Sequence, residues 1–396
     1  RDRSPSRGLG DVYKRQVQMS TELIYKTLIK NRLVTGRPNF LKAPGRVNLI
    51  GEHTDYNQGL CLPGTFQKAI YFGYVPSGES EIISLKYNES WFPKSQHQIP
   101  GWAIYFKGVW DLLRQKGYSW PDFKLAFDGD LPVGAGLSSS SAISCGFITI
   151  LNELGSLKLT IEKLTELAVT AEKASGLEGG MMDQISIFNG KKNHALLIQC
   201  SDWNFKYIPI PEGPVCWLII DTRVKHQLIH TDYNSRSRSC KELLKIVKNS
   251  IPEINNLSDL TWEQIQSFEK KLSSQFFKYL IYINEENQRV LEMVDLLELK
   301  QFENIGRCLL NGHEGLRKLY KVSCSELDFL VDFAKISQMA YGARMMGGGF
   351  GGATLHLIPE NFKTSYTQGI SNAYANKFDC QPDVFELNLE DGIQFI

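Results

Sequence analysis

The run Pro132-Val133-Gly134-Ala135-Gly136-Leu137-Ser138-Ser139-Ser140-Ser141-Ala142 constrains this chain more than any other. It lies between residues 123–127, which alternate as a half-buried strand does, and residues 142–154, an apolar stretch of helical length. Glycines let a backbone come close to an anion, and the amide N–H groups at a helix N-terminus point toward it. The four serines add hydroxyls that can cap the helix, donate to phosphate oxygens or bind a hard cation. A plain capped helix would need only one of them. No Gly-Lys-Ser/Thr closes the run, so it is not a Walker A loop. Ser139 holds the third glycine position of a dinucleotide fingerprint, and no ribose-binding acid stands out about 20 residues later.

Three further stretches carry chemistry. Residues 43–59, Ala-Pro-Gly-Arg-Val-Asn-Leu-Ile-Gly-Glu-His-Thr-Asp-Tyr-Asn-Gln-Gly, begin as an apolar strand and end in polar groups. Arg46, Glu52, His53 and Asp55 fall within ten residues, and Gly45, Gly51 and Gly59 suit a backbone turning around a small molecule. The bland alternative is a solvated charged loop. Asp183 follows Gly179-Gly180-Met181-Met182, an apolar and glycine-rich setting in which an aspartate either does chemistry or caps the next element. Residues 342–352 hold six glycines in eleven positions.

At 396 residues the chain exceeds one compact core, and two domains are expected, 19–206 and 207–396, after an N-terminal extension over 1–18. Residues 1–16 hold five basic and two acidic residues and read as a translated adapter, so they are expected to be non-native or disordered. An apolar fraction of 42% with 22% charged residues is that of an ordinary globular protein. A net charge of +1 leaves no electrostatic footprint for nucleic acid or an anionic membrane. The eight cysteines are scattered without metal-ligand spacing, and no apolar run nears the roughly 18 residues of a membrane span. A cytoplasmic protein is expected. Helical patterns fall at 19–30, 102–115, 142–154, 160–174, through 233–333 and at 362–375. Strand patterns fall at 40–43, 69–75, 81–86, 123–127, 194–199, 207–210, 217–221, 354–358 and 384–389. This mixture predicts α+β rather than a doubly wound parallel sheet. The aromatic stripe containing Trp102 and Tyr105 is read as core rather than as a base-stacking surface.

The serine loop resembles the second signature of the small-metabolite kinases that group galactokinase, homoserine kinase, mevalonate kinase and phosphomevalonate kinase. Residues 45–56 resemble the galactokinase signature throughout their length, 344–352 the third signature, and 180–184 the segment with the catalytic aspartate. The resemblance implies a two-lobed fold with mixed sheets and helices and an active site in the cleft between lobes. It also implies transfer of the γ-phosphate of ATP to the anomeric hydroxyl of galactose. By the same resemblance Asp183 takes the sugar's proton and Arg46 is its partner. Glu52 and His53 face the hydroxymethyl group and Asp55 the ring hydroxyls, with Gly180 and Tyr233 as further sugar contacts. Gly134, Ala135, Gly136, Leu137, Ser138, Ser139 and Ser140 would cradle the ATP phosphates, and Ser140 and Glu172 would hold Mg²⁺. The partners implied are galactose and ATP, with the chain a monomer or weak oligomer. The chain departs from the usual pattern by one residue fewer after Glu172 and by Ser237 in place of a second arginine. A kinase for N-acetylgalactosamine, arabinose or a uronic acid is the alternative, and a non-catalytic galactose and ATP sensor is another.

Overall fold

Pro44 and Gly45 do not break the strand predicted before the polar stretch; they put a bulge in it. Strand β1 (Asn39–Asn48) pairs antiparallel with β3 (Pro63–Pro76), and the register shifts between Pro44 and Arg46. A proline has no N–H for the ladder, and a bulge bends the strand and re-aims the next side chain, here Arg46. The computed structural model describes residues 19–29, 37–95, 98–132, 134–174, 176, 179–224 and 229–396, without the side chains of 229–231. The expectation for residues 1–16 lies outside them.

The first sheet has six strands in the order β13-β1-β3-β6-β4-β5, with β2 (Leu60–Cys61) in another sheet. Its remaining members are β4 (Glu81–Ser84), β5 (Glu89–Trp91), β6 (Phe123–Gly129) and β13 (Gln394–Phe395). Only β4 and β6 run parallel. Helix α1 (19–29) lays Ile24 and Leu28 against Tyr71 and Ala126. On the core side pack α2 (Ile104–Gln115), α3 (Ser139–Leu154) and α4 (Ile161–Ala174). Phe106 of α2 is fully buried, with ring centroids 5.0 Å from Phe127 and from Phe147 and 6.4 Å from Phe72. A short helix, α5 (Met182–Asn189), was not read from the sequence; its Ile185, Ile187 and Phe188 are buried. Strands β7 (His194–Gln199) and β8 (Asn204–Pro209) complete a three-stranded sheet with β2.

Beyond Pro209 the chain enters a second sheet, ordered β10-β11-β9-β12 and wholly antiparallel. It consists of β9 (Val215–Asp221), β10 (Gly342–Met346), β11 (Ala353–Pro359) and β12 (Asp383–Glu386). The long helical pattern resolves into α6 (Ile229–Ser250), α7 (Trp262–Ser267), α8 (Ser274–Glu298), α9 (Phe302–Glu314) and α10 (Ser325–Ile336). A π-helical turn, Gly315–Tyr320, follows α9, and α11 (Lys363–Phe378) covers the second sheet with α10. The glycine cluster at 342–352 is therefore half strand and half loop. No described helix is long and apolar enough to cross a membrane.

Phe106 ties α2 to the sheet and so fixes the wall that α2 gives to the cleft. Phe106→Ala should lower unfolding stability by about 3–5 kcal/mol, with an unchanged urea m-value, in denaturant titrations followed by circular dichroism.

Candidate active site

Arg46, turned by the bulge in β1, donates from Nε to Asp183 Oδ1 at 2.7 Å and from Nη1 to the Gly136 carbonyl at 2.6 Å. Its own backbone N–H donates to the Leu137 carbonyl at 3.2 Å. One residue thus joins β1, the serine loop and the first turn of α5. Ser138, the residue before α3, has φ 57° and makes no side-chain cap. This left-handed backbone sends its hydroxyl to Asp183 Oδ2 at 2.5 Å instead. Burial works against charge on Arg46, but Asp183, Glu52 and Asp55 outweigh it and raise its pKa.

The loop after β1 supplies the next groups. Glu52 accepts from Asn48 Nδ2 at 2.9 Å and from the Gly347 N–H at 2.8 Å, and the buried Arg344 guanidinium lies 3.2 Å away. Gly347 has φ 77°, and a Cβ there would come within 3.1 Å of the Gly136 backbone, so the third glycine motif closes directly on the serine loop. Asp55 Oδ2 accepts from the Gly180 N–H at 3.0 Å, and a Cβ on Gly180 would lie 2.2 Å from that oxygen. His53 is held at φ 61°, with Asn57 Nδ2 donating to its carbonyl at 2.8 Å. A non-glycine residue in that region marks a position the surroundings impose. From helix α8, Tyr282 donates to the Glu52 carbonyl at 2.8 Å, and Glu286 Oε1 accepts from the Gly51 and Glu52 amides at 3.0 and 3.3 Å.

The groups closest to Arg46 and Asp183 line one cavity of about 390 Å³, while Asn48, Tyr282, Glu286 and Arg344 stand behind its wall. Arg46, Glu52, His53, Asp55, Gly180, Asp183 and Tyr233 occupy one part of its wall; Gly134, Gly136, Leu137, Ser138, Ser139, Ser140 and Glu172 form another. Ala135, expected with the loop, instead packs its methyl group into the main core and does not line the cavity. Tyr105, read from the sequence as core, lines the cavity, whereas Trp102 packs on Phe106 and Phe127 as expected. Trp102 stands in the 3-10 turn Gly101–Ala103 and Tyr105 in the first turn of α2, a boundary that a periodic stripe does not reveal.

Glu172 is buried, and both its oxygens accept from Ser141 Oγ at 3.0 Å; Gln184 donates to it as well. Ser141 and Gln184 were not singled out, although the serine run and the position after Asp183 contain them. Arg344 and Glu286 were also missed. For Arg344 the available signal was a charge between Ala343 and Met345; Glu286, with Glu285 and Arg289 beside it, carried none. Burial first, and the Asp183 charge second, raise Asp55 to about 6 and Glu172 to about 7. Burial and the nearby Arg236 and Arg344 cations lower His53 to about 3, against an upward pull from the Gly348 backbone, so its imidazole is neutral at pH 7.

Comparison with known proteins follows the same segments. Residues 33–75 match the galactokinase galactose-binding signature, 104–191 the GHMP kinases N terminal domain and 293–363 the GHMP kinases C terminal domain. The chain is 35% identical over 358 residues to a galactokinase of Thermotoga neapolitana, covering 90% of this chain and 99% of that one. It is 35% identical over 357 residues to a galactokinase of Pyrococcus furiosus, covering 89% and 98%. Among solved structures, the galactokinase of Lactococcus lactis complexed with galactose superposes with a TM-score of 0.88 at 24% identity, over 94% of this chain and 99% of that one. The Methanococcus jannaschii mevalonate kinase superposes with a TM-score of 0.63 at 17% identity, over 90% and 99%. At those identities the superpositions speak for the α+β fold.

The raised carboxyl pKa values make a stability prediction. Each folded-state value lies above the free value, so the fold holds protons that the unfolded chain releases, and this contribution is present below about pH 4. It is lost as pH rises through about 6 for Asp55 and about 7 for Glu172. Asp55→Asn and Glu172→Gln should each flatten the fall in melting temperature of the ligand-free protein between pH 4 and pH 7.

Proposed function

The chain belongs to the galactokinase family, and we propose that it transfers the γ-phosphate of ATP to the anomeric hydroxyl of galactose, giving galactose 1-phosphate. The observation that carries this reading is the Arg46–Asp183–Ser138 cluster, set where the carboxylate-rich wall meets the serine loop in a single cavity.

In this reading Asp183 accepts the proton of the anomeric hydroxyl. The freed oxygen forms its bond to the γ-phosphorus as the bond to the ADP oxygen breaks. Two donors on Asp183 hold its carboxylate in place, and Arg46 is near enough to offset charge on the phosphoryl group in flight. Phosphoryl transfer asks mostly for positioning and charge neutralisation, so few groups suffice. Glu52, His53 and Asp55 read the sugar hydroxyls with Gly180 and Tyr233. Each carboxylate is already fixed by protein donors, which favours discrimination between epimers. Gly134, Gly136, Leu137, Ser138, Ser139 and Ser140 cradle the phosphates.

The donor set fits Mg²⁺. Ser140 and Glu172 bring a hydroxyl and a carboxylate to the same cavity, and both are hard oxygen donors. Among the described residues no group of three His, Cys, Asp or Glu could hold a metal by itself. When bound, the ion would neutralise phosphate charge. The division into 19–206 and 207–396, action as a monomer or weak oligomer and a cytoplasmic setting belong to the same proposal. All eight cysteines are free thiols, which suits a reducing compartment.

Purified protein with ATP, Mg²⁺ and a sugar panel tests the reading. Galactose should be phosphorylated at C1 in preference to N-acetylgalactosamine, arabinose and galacturonic acid. Turnover of one of these without galactose would replace the substrate, and tight binding of galactose and ATP without turnover would make the chain a sensor. Asp183→Asn should lower kcat by about 10²–10⁴ with a small change in KM.

A further inference from the structure

Beneath His53 runs a chain of hydrogen bonds that the reaction does not use. His53 Nδ1 lies 2.7 Å from the Tyr56 hydroxyl, which lies 2.9 Å from the Tyr320 hydroxyl, which in turn lies 3.1 Å from Cys240 Sγ. The four groups come from the loop after β1, from the end of the π-helical turn and from α6. The rings also pack: His53 to Tyr320 at 5.1 Å, His53 to Tyr56 at 5.7 Å, and Tyr320 to Tyr282 at 4.5 Å. His53, Tyr320 and Cys240 are buried. At the opposite edge of the imidazole, Nε2 is buried with no hydrogen-bond partner at bonding geometry in the protein, while His53 lines the cavity.

A neutral imidazole carries one proton, so one nitrogen donates and the other accepts. A hydroxyl has one proton as well. In a cavity walled by Glu52, Asp55 and Asp183, that proton goes to a carboxylate, and the hydroxyl oxygen then needs a donor from its other side. Nε2–H supplies such a donor, whereas a bare Nε2 would compete with the carboxylates for the same proton. For Nε2 to carry the proton, Nδ1 must accept, and the group placed to donate to it is Tyr56.

We propose that Tyr56 and Tyr320 are positioning residues that fix His53 as the Nε2–H tautomer. The relay then runs from the Cys240 thiol through Tyr320 and Tyr56 into Nδ1, and His53 presents a donor to a sugar hydroxyl shared with a carboxylate. This inference rests on the galactose-site reading above and extends it to how His53 reads its hydroxyl.

The test combines spectroscopy with kinetics. Long-range ¹H–¹⁵N spectra of histidine-labelled protein, with His53 assigned through His53→Asn, should show Nε2 protonated and Nδ1 as acceptor, with or without galactose. Tyr56→Phe removes the donor and keeps the ring; it should abolish the single tautomer and lower kcat/KM for galactose about tenfold, the loss of one hydrogen bond, mostly through KM. With 6-deoxygalactose, which lacks the hydroxyl that the resemblance gives to Glu52 and His53, the same substitution should change kcat/KM less than twofold. Tyr320→Phe should shift the tautomer populations in the same direction by a smaller amount. An Nδ1–H tautomer in the parent protein, or a Tyr56→Phe tautomer identical to the parent's, overturns the proposal. Equal losses with both sugars would assign Tyr56 a general packing role and overturn it too. If galactose is not a substrate, the kinetic arm fails while the spectra still decide the tautomer.

Discussion

The ion pair between Arg46 and Asp183 is the constraint on which the site depends. It is formed by residues 137 positions apart, and it closes only if the bulge in β1, the turn of the serine loop and the start of α5 arrive together. Arg46 also bonds Gly136 and Leu137 through its side chain and backbone, so moving any one of the three elements disturbs the other two. Removing one member of such a pair leaves a charge stranded in a poorly hydrated place, which is more damaging than the pair is stabilising. The pair is better understood as an alignment device than as a source of stability.

Around it stands a second layer drawn from the helical half of the chain. Arg344 reaches the Asn48 and Leu49 carbonyls at 3.1 and 2.9 Å, and Glu286, bound in turn by Arg289 at 2.8 Å, takes the Gly51 and Glu52 amides. Asn287 accepts from the Leu60 N–H at 2.6 Å. The loop after β1 therefore belongs by sequence to the first half and by hydrogen bonding largely to the second. Peptide groups that a tight turn leaves without partners are satisfied by side chains of β10 and α8.

Much of this was legible beforehand because it is local. The glycine and serine run needs no distant partner to announce an anion loop, and the charge cluster at 46–55 is dense enough to stand out. The strand and helix periods held for most elements. What was hidden depended on contacts between segments far apart in sequence. Tyr105 and Trp102 share one apolar stripe, yet only the packing of the 3-10 turn Gly101–Ala103 and of α2 on the sheet decides which faces the cavity. Helix α5 is eight residues long, too short for periodicity to declare, and Asp183 stands in its first turn. Glu286 looked like one charge among many on a long helix; only the register between α8 and the loop after β1 gives it a partner.

Strand β13 is two residues long, but it pairs with Leu41 and Lys42 of β1 and completes one side of the first sheet. Those residues are separated by more than three hundred positions. During synthesis β1, the strand that carries Arg46, keeps an open edge until residues 394–395 leave the ribosome. An open edge is a template for pairing with other chains, and closing so long a loop delays the contact that covers it. The first sheet is thus begun early and closed only after a long interval of chain. The interval between those events is when this chain is most exposed to mispairing, and when a chaperone would have most to protect.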